Sequence, residues 1–243
     1  MKKTLLLAGL LLALTASVAM AAGVSVSWMN YCWGEDGHAS NLSWACASNS
    51  NANIRMTCSF KLDTDMPTFA AVGVYMEGQT EAAAVPDWWK LGDATTTDCR
   101  NTLITLSTDG SVLANGGADV CIDPWVGGGY GGVGLYSWGT NRMHVNGVWA
   151  VGNAIPLTAN TEYFAVQFRI SALRTVNTCT GCLTPAIWGL TKISVEGFGG
   201  DIRPLMEPYA GGSQCLTWQG STLGCSLVPT RNATWGQIKS LYR

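Results

Sequence analysis

Charge is scarce in this chain. Lys, Arg, Asp and Glu make up 12% of its 243 residues, about half the usual share for a soluble domain. No run of Lys or Arg occurs, and the formal net charge of −2 has the wrong sign for a phosphate backbone or an anionic lipid surface. Nucleic acid is excluded as a partner on that ground. Only two histidines occur, His38 and His144, so imidazole catalysis and zinc binding have two positions to draw on. A second C-x-x-C is missing, and no metal site is expected. There is no G-x-S-x-G nucleophile turn. Beyond Met20 no apolar run reaches the length of a membrane-spanning helix. No amphipathic stretch is long enough for the crossover helix of a βαβ unit.

What is present begins with the first residues. Met1-Lys-Lys-Thr is followed by an apolar run to about Val18 and by Ala19-Met20-Ala21-Ala22, a small-x-small cleavage pattern. Residues 1–21 are expected to be a cleavable export signal, too short and wrongly flanked for a membrane span. The mature chain is then secreted or periplasmic. Removing Lys2 and Lys3 leaves 12 basic residues against 16 acidic ones, a net charge of −4.

Export decides how the nine cysteines are read, because thiols pair in an oxidising compartment. Nine is odd, and Cys58 is the expected free thiol. It lies in Ile54-Arg-Met-Thr-Cys-Ser-Phe-Lys-Leu62, where apolar and polar residues alternate, the period of a half-buried strand. Cys58 falls on the apolar face. The remaining eight fall into near neighbours, and proximity predicts Cys32–Cys46, Cys99–Cys121, Cys179–Cys182 and Cys215–Cys225, one of 105 arrangements. Cys179-Thr-Gly-Cys182 matches the spacing of thiol–disulfide enzymes. Its turn-rich flanks lack the following helix that such enzymes use to lower the thiol pKa, so a structural bridge is the better reading.

Alternation recurs at Val24–Trp28, Val72–Glu77, Phe164–Ser171 and in shorter form around Ile104, Met143 and Ile193. Asp109-Gly110, Asn115-Gly-Gly117 and Asn146-Gly147 supply turn signals between such segments. The expected fold is all-β, an antiparallel, jelly-roll-like β-sandwich over 22–230, with a short helix at 231–243. Trp235, Ile238 and Leu241 recur three apart there, with Asn232 or Thr234 as cap.

Several segments invite chemistry. Gly127-Gly-Gly-Tyr-Gly-Gly132 contains G-x-G-x-x-G, yet its flanks lack the strand and helix of a dinucleotide site, so a loop is expected and no cofactor. His38 and His144 read as surface histidines. Asp63-Thr-Asp65 lacks the spacing of a calcium loop and reads as a polar turn. Glu77 and Glu196, at strand ends, are the candidate acid pair of a glycoside hydrolase, whose stereochemistry their separation would set. Trp88 and Trp89 are adjacent on a segment taken as extended, which would send their rings to opposite sides and expose at least one. With Trp125, Tyr130 and Trp138 they are the candidate ligand-binding aromatics.

The early cluster Trp28–Cys46, Pro86-Asp-Trp-Trp89, Cys179-Thr-Gly-Cys182 and the closing Thr234-Trp-Gly-Gln-Ile-Lys-Ser-Leu-Tyr-Arg243 together resemble a group of exported, Cys/Trp-rich bacterial proteins without assigned activity. The resemblance implies a secreted domain and carries no catalytic residue. The leading expectation is a secreted, non-enzymatic sandwich that binds a glycan or protein at the cell exterior or is part of it. The alternative is a glycoside hydrolase on the same scaffold.

Overall fold

Two sheets face each other across a dense aromatic and aliphatic core. The computed structural model describes residues 22–50, 53–92, 97–113 and 121–225. The export signal expected over 1–21 and the helix expected over 231–243 lie outside the described residues, and the structure lends the helix no support.

The small sheet pairs β1 (Gly23–Trp28), β3 (Asn53–Lys61), β9 (Glu162–Ser171) and β5 (Ile104–Ser107) in that order, all antiparallel. A two-residue strand, β6 (Cys121–Ile122), adds to β9 in parallel. The large sheet runs β2 (Asn41–Leu42), β12 (Cys215–Trp218), β10 (Ala186–Gly197), β4 (Met66–Thr80), β8 (Arg142–Leu157) and β7 (Tyr130–Trp138), with β11 (Ile202–Leu205) also on β10. This is the expected β-sandwich.

The alternating segments bury their apolar sides as a period of two requires. Ile54, Met56, Cys58 and Phe60 of β3 and Val166, Phe168 and Ile170 of β9 meet Val72, Val74 and Met76 of β4 across the interface. Each such side chain contributes about 1.5–3 kcal/mol of transfer free energy. Cys58 is the free cysteine, buried with its Sγ 3.9 Å from Met76 Sδ.

Tryptophans fill one end of the core. The Trp218 ring lies 5.9 Å from Trp28, 5.2 Å from Trp88 and 5.5 Å from Trp89, and Trp89 lies 5.8 Å from Trp188. Pro86 opens a 3-10 turn over Asp87–Trp89, which corrects the expectation of an extended segment there. A 3-10 turn rotates successive side chains by about 120° rather than 180°, so both rings turn inward and meet edge to face at 4.6 Å. Two of the cluster's indoles find partners: Trp88 Nε1 donates to Thr175 Oγ1 at 3.0 Å and Trp218 Nε1 to the Cys182 carbonyl at 2.7 Å.

The disulfides staple distant segments. Cys32 bonds Cys121, Cys46 bonds Cys182, Cys99 bonds Cys179 and Cys215 bonds Cys225. Only the last matches the near-neighbour expectation; Cys32–Cys46, Cys99–Cys121 and Cys179–Cys182 are corrected. The physical reason is visible at 179–182. Gly181 turns the chain there with φ +100°, pressed so close to Pro86 that a Cβ would stand 2.2 Å from its ring. Thr180 offers its carbonyl to the Trp88 amide at 2.9 Å. The motif is pinned to the tryptophan cluster, and its two thiols bond to cysteines of different segments.

Candidate functional site

The outer faces of the two sheets differ. On the small sheet the outward residues Ser25, Ser27, Thr57, Ser59, Glu162 and Gln167 are themselves buried. Segments 29–40 and 206–214 lie over them and satisfy them. Ser25 Oγ bonds the Ser213 carbonyl at 3.0 Å, and the Ala39 amide donates to Ser27 Oγ at 3.0 Å. Glu162 accepts from Ser59 and Tyr209 hydroxyls, each at 2.6 Å, and from the Gly34 amide at 3.1 Å. A buried carboxylate supplied with three donors is stable there.

The outer face of the large sheet over β4, β8 and β7 is open. Since Val72, Val74, Met76, Met143 and Val145 point inward, the alternation sends Tyr75, Glu77 and Gln79 of β4 and Arg142, His144 and Asn146 of β8 to the solvent side. Register aligns these residues in rows across the strands. Ser137 on β7 is opposite His144, and His144 is opposite Glu77. Arg142 Nη1 stands 3.9 Å from Glu77 Oε2. These residues and Trp138 line an opening of about 330 Å³. Trp138, 43% exposed, is fixed at its rim: its Nε1 donates to Asp98 Oδ2 at 3.0 Å, and Lys90 Nζ lies 4.7 Å from its ring centre.

Further along the same strands the face carries small residues on both sides of Val148, which is 47% exposed. Gly73 and Gly132 flank Val148, and Ala71 and Tyr130 flank Ala150. The Tyr75 ring lies along the sheet beside Gly73, with Lys192 Nζ 4.0 Å from its centroid. At the end, Gly127–Gly129, Tyr130, Gly152 and Asn153 line a second opening of about 360 Å³, and Tyr130 is 82% exposed at its lip. From His144 to Ala150 is six residues, about 20 Å of strand.

The glycine run has a packing reason that the sequence hid. A Cβ on Gly129 would stand 2.5 Å from Trp149 Nε1, and one on Gly131 would stand 2.7 Å from Trp149 Cα and 2.0 Å from the Val148 carbonyl oxygen. The run accepts the Trp149 side chain, and β7 begins inside it at Tyr130 rather than after it.

The remaining candidates separate clearly. Trp88, Trp89 and Trp125 are buried, with Trp125 Nε1 bonded to the Ala165 carbonyl at 2.8 Å and its ring 5.3 Å from Phe69. They are core and offer no ligand surface; Tyr130 and Trp138 remain. Glu77 and Glu196 do not form an acid pair. Glu196 is opposite Ala71, and Glu77 stands six residues away along β4, about 20 Å against about 5–9.5 Å for glycosidase carboxylates. His38 belongs to its own turn, its Nδ1 2.9 Å from the Glu35 carbonyl and its ring 4.3 Å from Trp33. Asp65 caps a turn by accepting from the Ala159 amide at 2.7 Å. The sequence missed Arg142 and Ser137, which only register brings beside His144.

Buried titratable groups lie away from this face. Burial pushes the Cys58 thiol and the Tyr136 phenol up, and it does the same to Tyr209, reinforced by the charge of Glu162. Burial lowers Arg100, and Tyr136 works weakly against that shift. Another opening, about 700 Å³, is lined by Cys46, Cys179, Cys182, Glu81 and Leu183, with three bonded cysteines in its wall.

No protein-family model, curated protein or solved structure matches this chain. Four disulfides fit an oxidising, extracytoplasmic setting. Among the described residues, no helix is long and apolar enough to cross a membrane.

Proposed function

We propose that this protein is an extracellular binding domain that holds a saccharide chain along the open outer face of β4, β8 and β7. The observation that carries this reading is the contrast between the two outer faces. Two segments cover the small sheet, while the large sheet keeps Glu77, Arg142 and His144 at one end, with Trp138 at the rim of their opening, and Tyr130 at the other in reach of solvent. Sugars present hydroxyls in a plane and apolar C–H faces beside them. Charged and amide side chains serve the first, and exposed rings serve the second. The small residues between the two ends let an extended ligand lie close to the sheet.

Glycan arrays, followed by calorimetry on the best oligosaccharide, test this. Tyr130→Ala and Arg142→Ala should each weaken binding about tenfold, the equivalent of about 1.4 kcal/mol, without moving the unfolding midpoint. The absence of any glycan ligand, or binding indifferent to both substitutions, overturns it.

A further inference from the structure

We propose that Ser137, His144 and Glu77 form a nucleophile–base–acid row that cleaves an ester carried by a ligand on this face. Three adjacent strands, β7, β8 and β4, present the three residues directly opposite one another on the same side of the sheet. Directly opposed residues have Cβ atoms about 4.5–5.5 Å apart. The structure forms neither the hydroxyl–imidazole nor the imidazole–carboxylate bond, and the spacing leaves both to be closed by side-chain rotation, in the order a catalytic triad requires. Triads are defined by such geometry rather than by chain order, and they tighten when substrate arrives.

Three features support chemistry over a solvated polar row. Among the described residues neither the Ser137 hydroxyl nor the His144 ring is engaged in a hydrogen bond, so both are available. Arg142, 3.9 Å from Glu77, places a positive charge beside the carboxylate. Its guanidinium also brings positive charge to the 330 Å³ opening that all four residues line, where an acyl oxygen becomes negative.

In the first half-reaction Ser137 Oγ attacks the acyl carbon as its proton passes to the His144 ring. The bond from acyl carbon to alcohol oxygen breaks, and the alcohol leaves with that proton. Water then adds to the acyl-Ser137, giving its proton to His144. The acyl–Oγ bond breaks, Oγ recovers the proton, and a carboxylic acid departs. Glu77 orients the imidazole. Net, ester and water yield acid and alcohol.

This inference rests on the proposed binding face for its location, but the two are read by different probes. The full-length protein is incubated with a fluorophosphonate, and the adduct is mapped by peptide mass spectrometry. One adduct per chain is expected on Ser137, absent from Ser137→Ala. Labelling should slow about 100-fold in His144→Gln and by a smaller factor in Glu77→Gln, with hydrolysis of an aryl acetate following the same order. All three side chains are on the solvent side, so unchanged unfolding midpoints are expected and are measured alongside. No adduct, an adduct on another serine, or wild-type labelling in His144→Gln overturns the proposal. Labelling without glycan affinity, or glycan affinity without labelling, tells the two readings apart.

Discussion

The Arg100 guanidinium stands over the Trp88 ring, its central carbon 4.0 Å from the ring centroid. Arg100 is fully buried, and among the described residues no carboxylate forms a salt bridge with it. Three backbone carbonyls take that role: Trp88 at 2.7 Å, Leu173 at 3.2 Å, and Ser171. The cation thus ties the tryptophan turn to the end of β9. Arg100→Ala strands three buried acceptors and removes the cation–π contact, so a loss of about 4 kcal/mol is expected. Arg100→Lys, with a single ammonium in place of a planar fork, should still lose about 2 kcal/mol. Urea unfolding checks both: the midpoint falls while the slope stays constant.

Stability should fall at alkaline pH. Cys58, Tyr136 and Tyr209 all have folded-state pKa values raised above ordinary values of 9.0 for the thiol and 10.0 for the phenols. Above those values the unfolded chain sheds protons that the folded chain keeps. Stability is therefore full below about pH 8 and declines as pH rises through 9 and 10, each group adding a slope of up to about 1.4 kcal/mol per pH unit. Urea midpoints from pH 7 to 11 test this; Cys58→Ala should flatten the curve between pH 9 and 10, and Tyr136→Phe above 10.

Two neighbouring glycines of β7 should behave differently. Gly131→Ala drives a Cβ to 2.0 Å from the Val148 carbonyl oxygen, whereas Gly132 has open space around the same position. Gly131→Ala should cost about 1–3 kcal/mol and Gly132→Ala less than about 0.5. Thermal unfolding measures both.

Peptide mapping under non-reducing conditions should recover Cys32–Cys121, Cys46–Cys182, Cys99–Cys179 and Cys215–Cys225, with Cys58 alkylated only after unfolding. Replacing Cys46 and Cys182 together by Ala opens a closure of 136 residues, and replacing Cys215 and Cys225 opens one of 10. Chain entropy puts the losses at about 5 and about 3 kcal/mol. Equal losses would show that strain or residual structure in the unfolded chain dominates.

The strands were legible because alternation records which side of a strand is apolar. Cys58 was placed correctly on that basis alone. Gln167 and Ser59 were not, since nothing local says that residues 29–40 and 206–214 will cover the polar side of β3 and β9. Trp88 and Trp89 misled because a strand's rotation was applied to a Pro-initiated 3-10 turn. His144 was legible as an outward residue, but its neighbours Ser137 and Glu77 are set by cross-strand register, which joins positions far apart in the chain. Disulfide partners escaped for the same reason.

The three long-range bridges overlap along the chain: the span 32–121 crosses both 46–182 and 99–179, and 99–179 is nested within 46–182. A chain delivered amino end first presents Cys46, Cys58 and Cys99 to Cys32 before its true partner arrives. Early oxidation therefore produces wrong bridges, and Cys46 and Cys99 stay without their proper partners until about three quarters of the chain has emerged. Maturation requires delayed oxidation or a catalyst that reopens mismatched bonds, so yield from a host should follow its isomerase capacity rather than its oxidising strength.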